Sequence, residues 1–218
     1  MTDVTPNLFI AFVAMIGFGL LVLAVITVTS FVKMSVVLFL LRNALGVQQS
    51  PPNVVLYAIA LILTVFVSMP LLRSESQILS DAGSMKQDVD EWVDMAVQME
   101  APLKEQLLRF TPVSERDFFL DAAARLWPPE MRTPDMNESL PVLVPSYLIG
   151  ELRRAFEIGF LLYLPFVVID LVITTILIAM GMSQVQPTTI AVPLKLLLFV
   201  MIEGWTRLLH GLVMSYVI

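Results

Sequence analysis

Residues Pro145 to Trp205 read PSYLIGELRRAFEIGFLLYLPFVVIDLVITTILIAMGMSQVQPTTIAVPLKLLLFVMIEGW, two long apolar segments joined by a short uncharged turn that holds Gly181, Met182 and Pro187. Charges interrupt both segments. Asp170 lies in the first, Lys195 and Glu203 in the second. A segment that only anchors a protein in lipid has no reason to carry them, because a charge in hydrocarbon is costly and marks a functional or packing site.

The rest of the chain agrees with a membrane class. Of 218 residues 57% are apolar and 15% charged, against roughly half and a quarter in soluble domains. The mean hydropathy is +0.83. The net charge of -6 is concentrated between Leu71 and Ser139, where seven basic residues face fourteen acidic ones. There is no cysteine, which excludes disulfides and thiolate metal sites. No basic stripe exists to neutralise phosphates, so nucleic acid is not an expected partner. The start, MTDVTPNLF, lacks a basic n-region and a small-residue cleavage site, and reads as a retained segment.

Leu8 to Leu41 is apolar apart from hydroxyl residues and Lys33. As one helix it would rise roughly 50 Å, well beyond the ~30 Å hydrocarbon core. Either it tilts and breaks near Gly17 and Gly19, or part of it projects from the membrane and packs against protein. Lys33 then sits at a protein-buried end or snorkels to an interface. Arg42 to Asn53 reads as a turn, with Gly46, a polar Gln48-Gln49-Ser50 run and Pro51-Pro52, where a helix can start. Val54 to Leu72 is a second apolar helix that Pro70 bends or ends, giving a helical hairpin over 1–72. Arg42, the one charge of that turn, places it in the cytoplasm and the acidic segment on the far side.

Residues 73–140 read as a small acidic helical insert. Ser84 and Gln87 have capping-box spacing, and Met85, Val89, Trp92, Met95, Ala96 and Met99 form an apolar stripe. Pro102 is expected to start another short helix and Ser114 to cap a third, which Pro128-Pro129 stops. So short an insert is expected to dock on a neighbour; the other reading is a loosely ordered acidic loop. Residues 141–218 form the second apolar hairpin.

No catalytic constellation is present: there is no HExxH, GxSxG or Walker-type loop, and the single His210 reads as a packed or interfacial residue. Among the remaining charges, Glu151, Arg154 and Glu157 can form a solvated helix start, and Glu203 with Arg207 an intrahelical pair. Asp170 and Lys195 have no opposite charge within four residues, so each needs a partner from another helix, another subunit or an aqueous path. Most of the 13 methionines are core filler. Met180 and Met182, flanking Gly181 in the turn, occupy a place where a soft constriction can be built.

Three stretches, TSFVKMSVVLFLLRNALGVQQSPPN, ELRRAFEIGFLLYLPFVVIDLVITTILIAMGM and PLKLLLFVMIEGW, resemble the SctR (YscR/SpaP/HrcR) family of type III secretion export apparatus proteins and its flagellar counterpart FliP. The resemblance covers both apolar hairpins and lies nearer the injectisome branch at Val47-Gln48-Gln49. It implies an all-α, non-enzymatic subunit without cofactors. Its bent hairpins, predicted to be transmembrane, pack with further copies, pentamer-like, and with SctS and SctT into a closed helical pore of the bacterial inner membrane that sits largely above the membrane plane, inside the basal body. Secreted proteins cross that pore unfolded, and membrane lipid and other basal body proteins are its further partners. The resemblance assigns Met180, Gly181 and Met182 to a methionine gasket and Glu151 and Lys195 to a salt bridge between adjacent subunits. Lys33, Asp170 and Glu203 remain buried polar candidates. This chain departs from the family at Ser183, Gln184, Val185 and Gln186, where further methionines are common, so its gasket rests on fewer thioethers. Two other classes compete with this reading. A small secondary transporter would use Asp170 and Lys195 along a substrate path, but the two halves carry no convincing repeat. An intramembrane hydrolase lacks a nucleophile and base in matching spans.

Overall fold

The computed structural model describes residues 4–47, 49–73, 76, 89–132, 134–182 and 184–217, and these are helices joined by turns, with no strand among them. The α-helices follow in the order α1 (Val4–Val28), α2 (Phe31–Leu45), α3 (Asn53–Val67), α4 (Val89–Phe110), α5 (Val113–Leu126), α6 (Leu140–Ala179), α7 (Pro187–Met201) and α8 (Gly204–Met214). Two short 3-10 turns, Pro129–Met131 and Pro134–Glu138, link α5 to α6. The fold is all-α, as expected. The Ser84–Gln87 capping box lies outside the described residues.

The first apolar run does break, but not at its glycines. Helix α1 continues through Gly17 and Gly19, and the chain turns by 77° between Val28 and Phe31. Hydroxyl hydrogen bonds line the turn. Thr27 Oγ1 donates to the Leu23 carbonyl at 2.9 Å, and Thr29 Oγ1 donates to the Val25 carbonyl while accepting from the Phe31 N–H at 3.4 Å. Such local bonds compete with the helical ladder and bend it. Helix α2 then ends on Gly46, whose φ of 73° is natural for a residue without Cβ.

Arg42 closes the α2–α3 turn by donating to Asn53 Oδ1 at 2.5 Å and to the Pro51 carbonyl at 3.3 Å. Tyr57 holds the hairpin shut, edge-on to Phe39 at 5.0 Å and stacked with Phe31 at 6.3 Å. Helix α3 stops at Val67, and helical backbone resumes over 69–73. Pro70 supplies the reason, because it has no N–H to offer the Phe66 carbonyl.

Helix α6 is the spine. Its 40 residues rise roughly 60 Å, about twice a hydrocarbon core, and it alone among the described helices is long and apolar enough to cross a membrane. The bent pairs α1–α2 and α7–α8 reach that length only when each is counted as one span. Helix α2 lies along α6, and the main core forms there from Met34, Val37, Leu38, Leu41, Leu45, Ala155 and Phe166. The two backbones come close because Gly159 has no side chain: a Cβ there would stand 2.2 Å from Leu40 Cδ1.

The insert docks on the N-terminal half of α6. Leu107 of α4 is buried with Leu143 and Tyr147, and Pro112 fits against Gly150, where a Cβ would come within 2.6 Å of Pro112 Cδ. Two local expectations are corrected. Pro102 does not start a helix but lies inside α4, and Ser114 is not a cap, because α5 starts at Val113 with Pro112 before it. A pyrrolidine ring sets φ near the helical value, so Pro112 can lead into a helix without a capping hydroxyl.

Candidate functional site

Three features on the α6–α7–α8 arm carry the unusual chemistry: the turn at Met180 and two buried charge clusters. The turn is a Schellman closure. The Met182 N–H donates to the Leu177 carbonyl at 2.9 Å and the Gly181 N–H to the Ile178 carbonyl at 3.0 Å. That closure needs a left-handed residue, and Gly181 has φ 73°. A Cβ there would meet nothing within 4 Å, so the requirement is purely one of backbone. The methionines on either side project outward, Met180 62% and Met182 44% exposed.

The first charge cluster surrounds Glu151. Its carboxylate, expected in a solvated helix start, is fully buried. Lys33 Nζ from α2 lies 3.4 Å from Oε2. Arg154 Nη1 donates to Oε1 at 3.1 Å and to the Phe110 carbonyl at 3.0 Å, and the Tyr216 hydroxyl donates to Oε2. Lys33 also sits 3.4 Å from the centroid of the Tyr216 ring, a cation–π contact. One carboxylate thus joins α2, α6, the end of α4 and the segment after α8. Lys33 has 1% exposure.

The second cluster answers the partner question for Asp170 and Lys195. They pair with each other across the hairpin, Lys195 Nζ donating to Asp170 Oδ2 at 2.6 Å and to the Ala44 carbonyl at 3.1 Å. Lys195 is buried whereas Asp170 keeps 46% side-chain exposure. The ammonium also satisfies the C-terminal carbonyl end of α2, where a positive charge is favoured by the helix dipole. Within the single chain, Glu151 and Lys195 therefore stand in separate clusters.

Glu203 corrects another expectation: it is exposed, not buried, and forms no ion pair with Arg207. The four-residue spacing fails because Glu203 is itself left-handed, φ 54°, at the 63° bend between α7 and α8. The bend is packed by aromatics. A Cβ on Gly204 would lie 2.2 Å from the Phe199 ring, and Phe199 stands edge-on to Trp205 at 5.5 Å. His210 is exposed on α8.

Sequence reasoning missed Tyr216 and the Lys33–Glu151 contact. The available signal was that Lys33, an apolar-run cation, needed an acid, and few acids lie outside the insert.

Relatives among known proteins share these segments. The FliP family profile matches residues 14–212. The probable translocation protein y4yL of Sinorhizobium fredii is 56% identical over 216 residues, 99% of this chain and 97% of that protein. The Yop proteins translocation protein R of Yersinia pestis is 47% identical over 204 residues, 90% and 91% of the two chains. The hypersensitivity response secretion protein HrcR of Ralstonia nicotianae is 46% identical over 206 residues, 92% and 94%. With similarity running along both hairpins and the insert between them, the chain belongs to the FliP family as a SctR-type protein of type III secretion.

Proposed function

We propose that this chain is a non-enzymatic core subunit of a type III secretion export gate in the bacterial inner membrane, crossing it more than once. With further copies of itself and with SctS and SctT it forms the pore through which unfolded proteins pass. Family membership supports the secretion role. The observation that carries the pore is the turn at Gly181: two exposed thioethers flank a backbone geometry fixed by hydrogen bonds, at the far end of a helix about twice the membrane thickness. Flexible thioethers on a rigid turn suit a seal that must deform around a passing chain and close behind it.

The test is secretion by the source bacterium with this gene deleted and then restored. Deletion should abolish release of the secreted proteins, and the restored wild type should return it. The double variant Met180→Ala, Met182→Ala should restore secretion but raise ion leakage across the membrane. Normal secretion without the gene overturns the gate assignment, and an unchanged leak overturns the seal.

A salt bridge from Glu151 of one copy to Lys195 of the next belongs to the same reading. It requires both residues to exchange their partners within the chain on assembly. Lys195→Glu should weaken the oligomer. Recovery on adding Glu151→Lys supports the bridge between copies; recovery only on adding Asp170→Lys confines Lys195 to the hairpin pair.

A further inference from the structure

Three side chains hold the Glu151 carboxylate, and they differ in what their departure would leave behind. Arg154 holds Oε1 and is tied as well to the Phe110 carbonyl. Lys33 lies 3.4 Å from Oε2 with 1% exposure, so without Glu151 it becomes a buried charge with no other acid beside it among the described residues. Stranding such a charge is strongly destabilising. Tyr216 donates to the same Oε2, but it is neutral. Only its release strands no charge.

Tyr216 also has somewhere to go. It follows the end of α8 at Met214, and its N–H is tied to the Val213 carbonyl at 3.1 Å, so its ring moves by side-chain rotation. Beside it lies a groove of about 610 Å³ between the end of α3, α4 and the segment after α8. Phe66, Phe110, Val213 and Val217 line that groove with apolar surface for the ring, and Gln106 and Arg109 on its wall supply polar groups for the hydroxyl. Phe110 already stands edge-on to the ring at 5.2 Å. A tyrosine suits such a space, because its body is apolar and only its tip is polar.

A bridge between Glu151 of one copy and Lys195 of the next needs an oxygen of Glu151 to come free, and the inference rests on that reading. We propose that Tyr216 is the placeholder for the neighbouring copy: its hydroxyl occupies Glu151 Oε2 in the single chain, and on assembly the ring rotates into the groove while the neighbour's lysine takes that oxygen. A charge-assisted bond then replaces one from a neutral donor, which favours the exchange. Until a second copy arrives, the hydroxyl keeps the carboxylate satisfied and closed to other cations.

The test measures, by native mass spectrometry, the concentration at which the full chain extracted in mild detergent is half converted to homo-oligomer. Tyr216→Phe keeps the ring against Phe110 and Lys33 and removes only the hydroxyl. It should lower that concentration about tenfold, the worth of roughly one hydrogen bond to a charged group. A hydroxyl that merely stabilises the fold predicts the opposite sign. Gln106→Trp, which fills the groove and leaves the hydroxyl in place, should raise the concentration. In chains that also carry Lys195→Glu, the gain from Tyr216→Phe should vanish. Unchanged or weaker assembly of Tyr216→Phe overturns the placeholder, and so does a gain that persists beside Lys195→Glu. Assembly indifferent to Gln106→Trp overturns the rotation into the groove. If Lys195→Glu alone assembles as well as the wild type, the bridge itself has failed and the placeholder falls with it.

Discussion

Glu151 ties together more of the chain than its size suggests, because its two oxygens satisfy a lysine, an arginine and a tyrosine hydroxyl at once. Removing one member of a buried charge pair leaves the other uncompensated, at a cost of about 3–5 kcal/mol. The members are not equivalent. Lys33, 1% exposed, has no other acid beside it, whereas Arg154 is partly exposed and can turn to water. Glu151→Gln is therefore expected to lower the unfolding midpoint of the solubilised complex more than Lys33→Met does. The double variant should be less destabilised than Glu151→Gln alone, since the stranded ammonium has then been removed. A double variant whose loss equals the sum of the singles would show that Lys33 and Glu151 are not coupled. Glycines separate in the same residue-by-residue way. Gly181 is required for its backbone and Gly159 for its lack of volume. Gly181→Asn should be tolerated within about 1 kcal/mol, because asparagine enters the left-handed region readily. Gly159→Asn must push Leu40 aside and should cost about 1–3 kcal/mol by overpacking. Denaturant midpoints of the two variants decide it, and equal losses would contradict the distinction.

At the scale of elements, the hairpins were legible and the places of their sharpest bends were not. Apolar length and the Gly46–Pro52 and Gly181–Pro187 punctuation marked α2 with α3 and α6 with α7 directly. The 77° bend escaped because hydroxyl back-bonding at Thr27 and Thr29 uses residues that also sit quietly in apolar helices. Pro102 misled for the opposite reason: an interior proline costs one hydrogen bond, and a docked helix can bear that loss when its other face is packed, as it is at Leu107. Charge partners divided along sequence distance. Asp170 and Lys195 meet across one turn, so their antiparallel pairing follows from folding the hairpin. Lys33, Glu151 and Tyr216 come from three distant segments, and nothing local in any of them announces the other two. The insert is tied to this cluster through Arg154 and the Phe110 carbonyl, and through Arg153 to Glu115 at 3.6 Å. Arg154→Ala should thus loosen α4 and α5 ahead of the spine. Amide exchange should rise in α4 and α5 while α2 keeps its protection; uniform protection across all of them would show that the apolar contacts suffice.

The molecule as a whole is unfinished on its outer face. Phe160, Leu161, Val168, Leu171 and Ile176 along α6, and Leu197, Val200 and Met201 on α7, are all more than half exposed. Contiguous apolar surface of this kind marks contact with lipid or with other protein. Expressed alone and extracted in detergent, the chain should elute as mixed oligomers, and co-expression with SctS and SctT should collect it into one species of higher mass. A single monodisperse monomer with native helix content would count against an obligate assembly subunit. The order of manufacture adds a constraint of its own. Synthesis runs from the N-terminus, so Lys33 emerges first, Glu151 more than a hundred residues later, and Tyr216 after both. The Tyr216 ring and hydroxyl complete the walls around the other two. Until that residue has left the ribosome, the lysine and glutamate lack their aromatic lid. The cluster around Glu151 therefore closes only once α2, α6 and the segment after α8 have all been made.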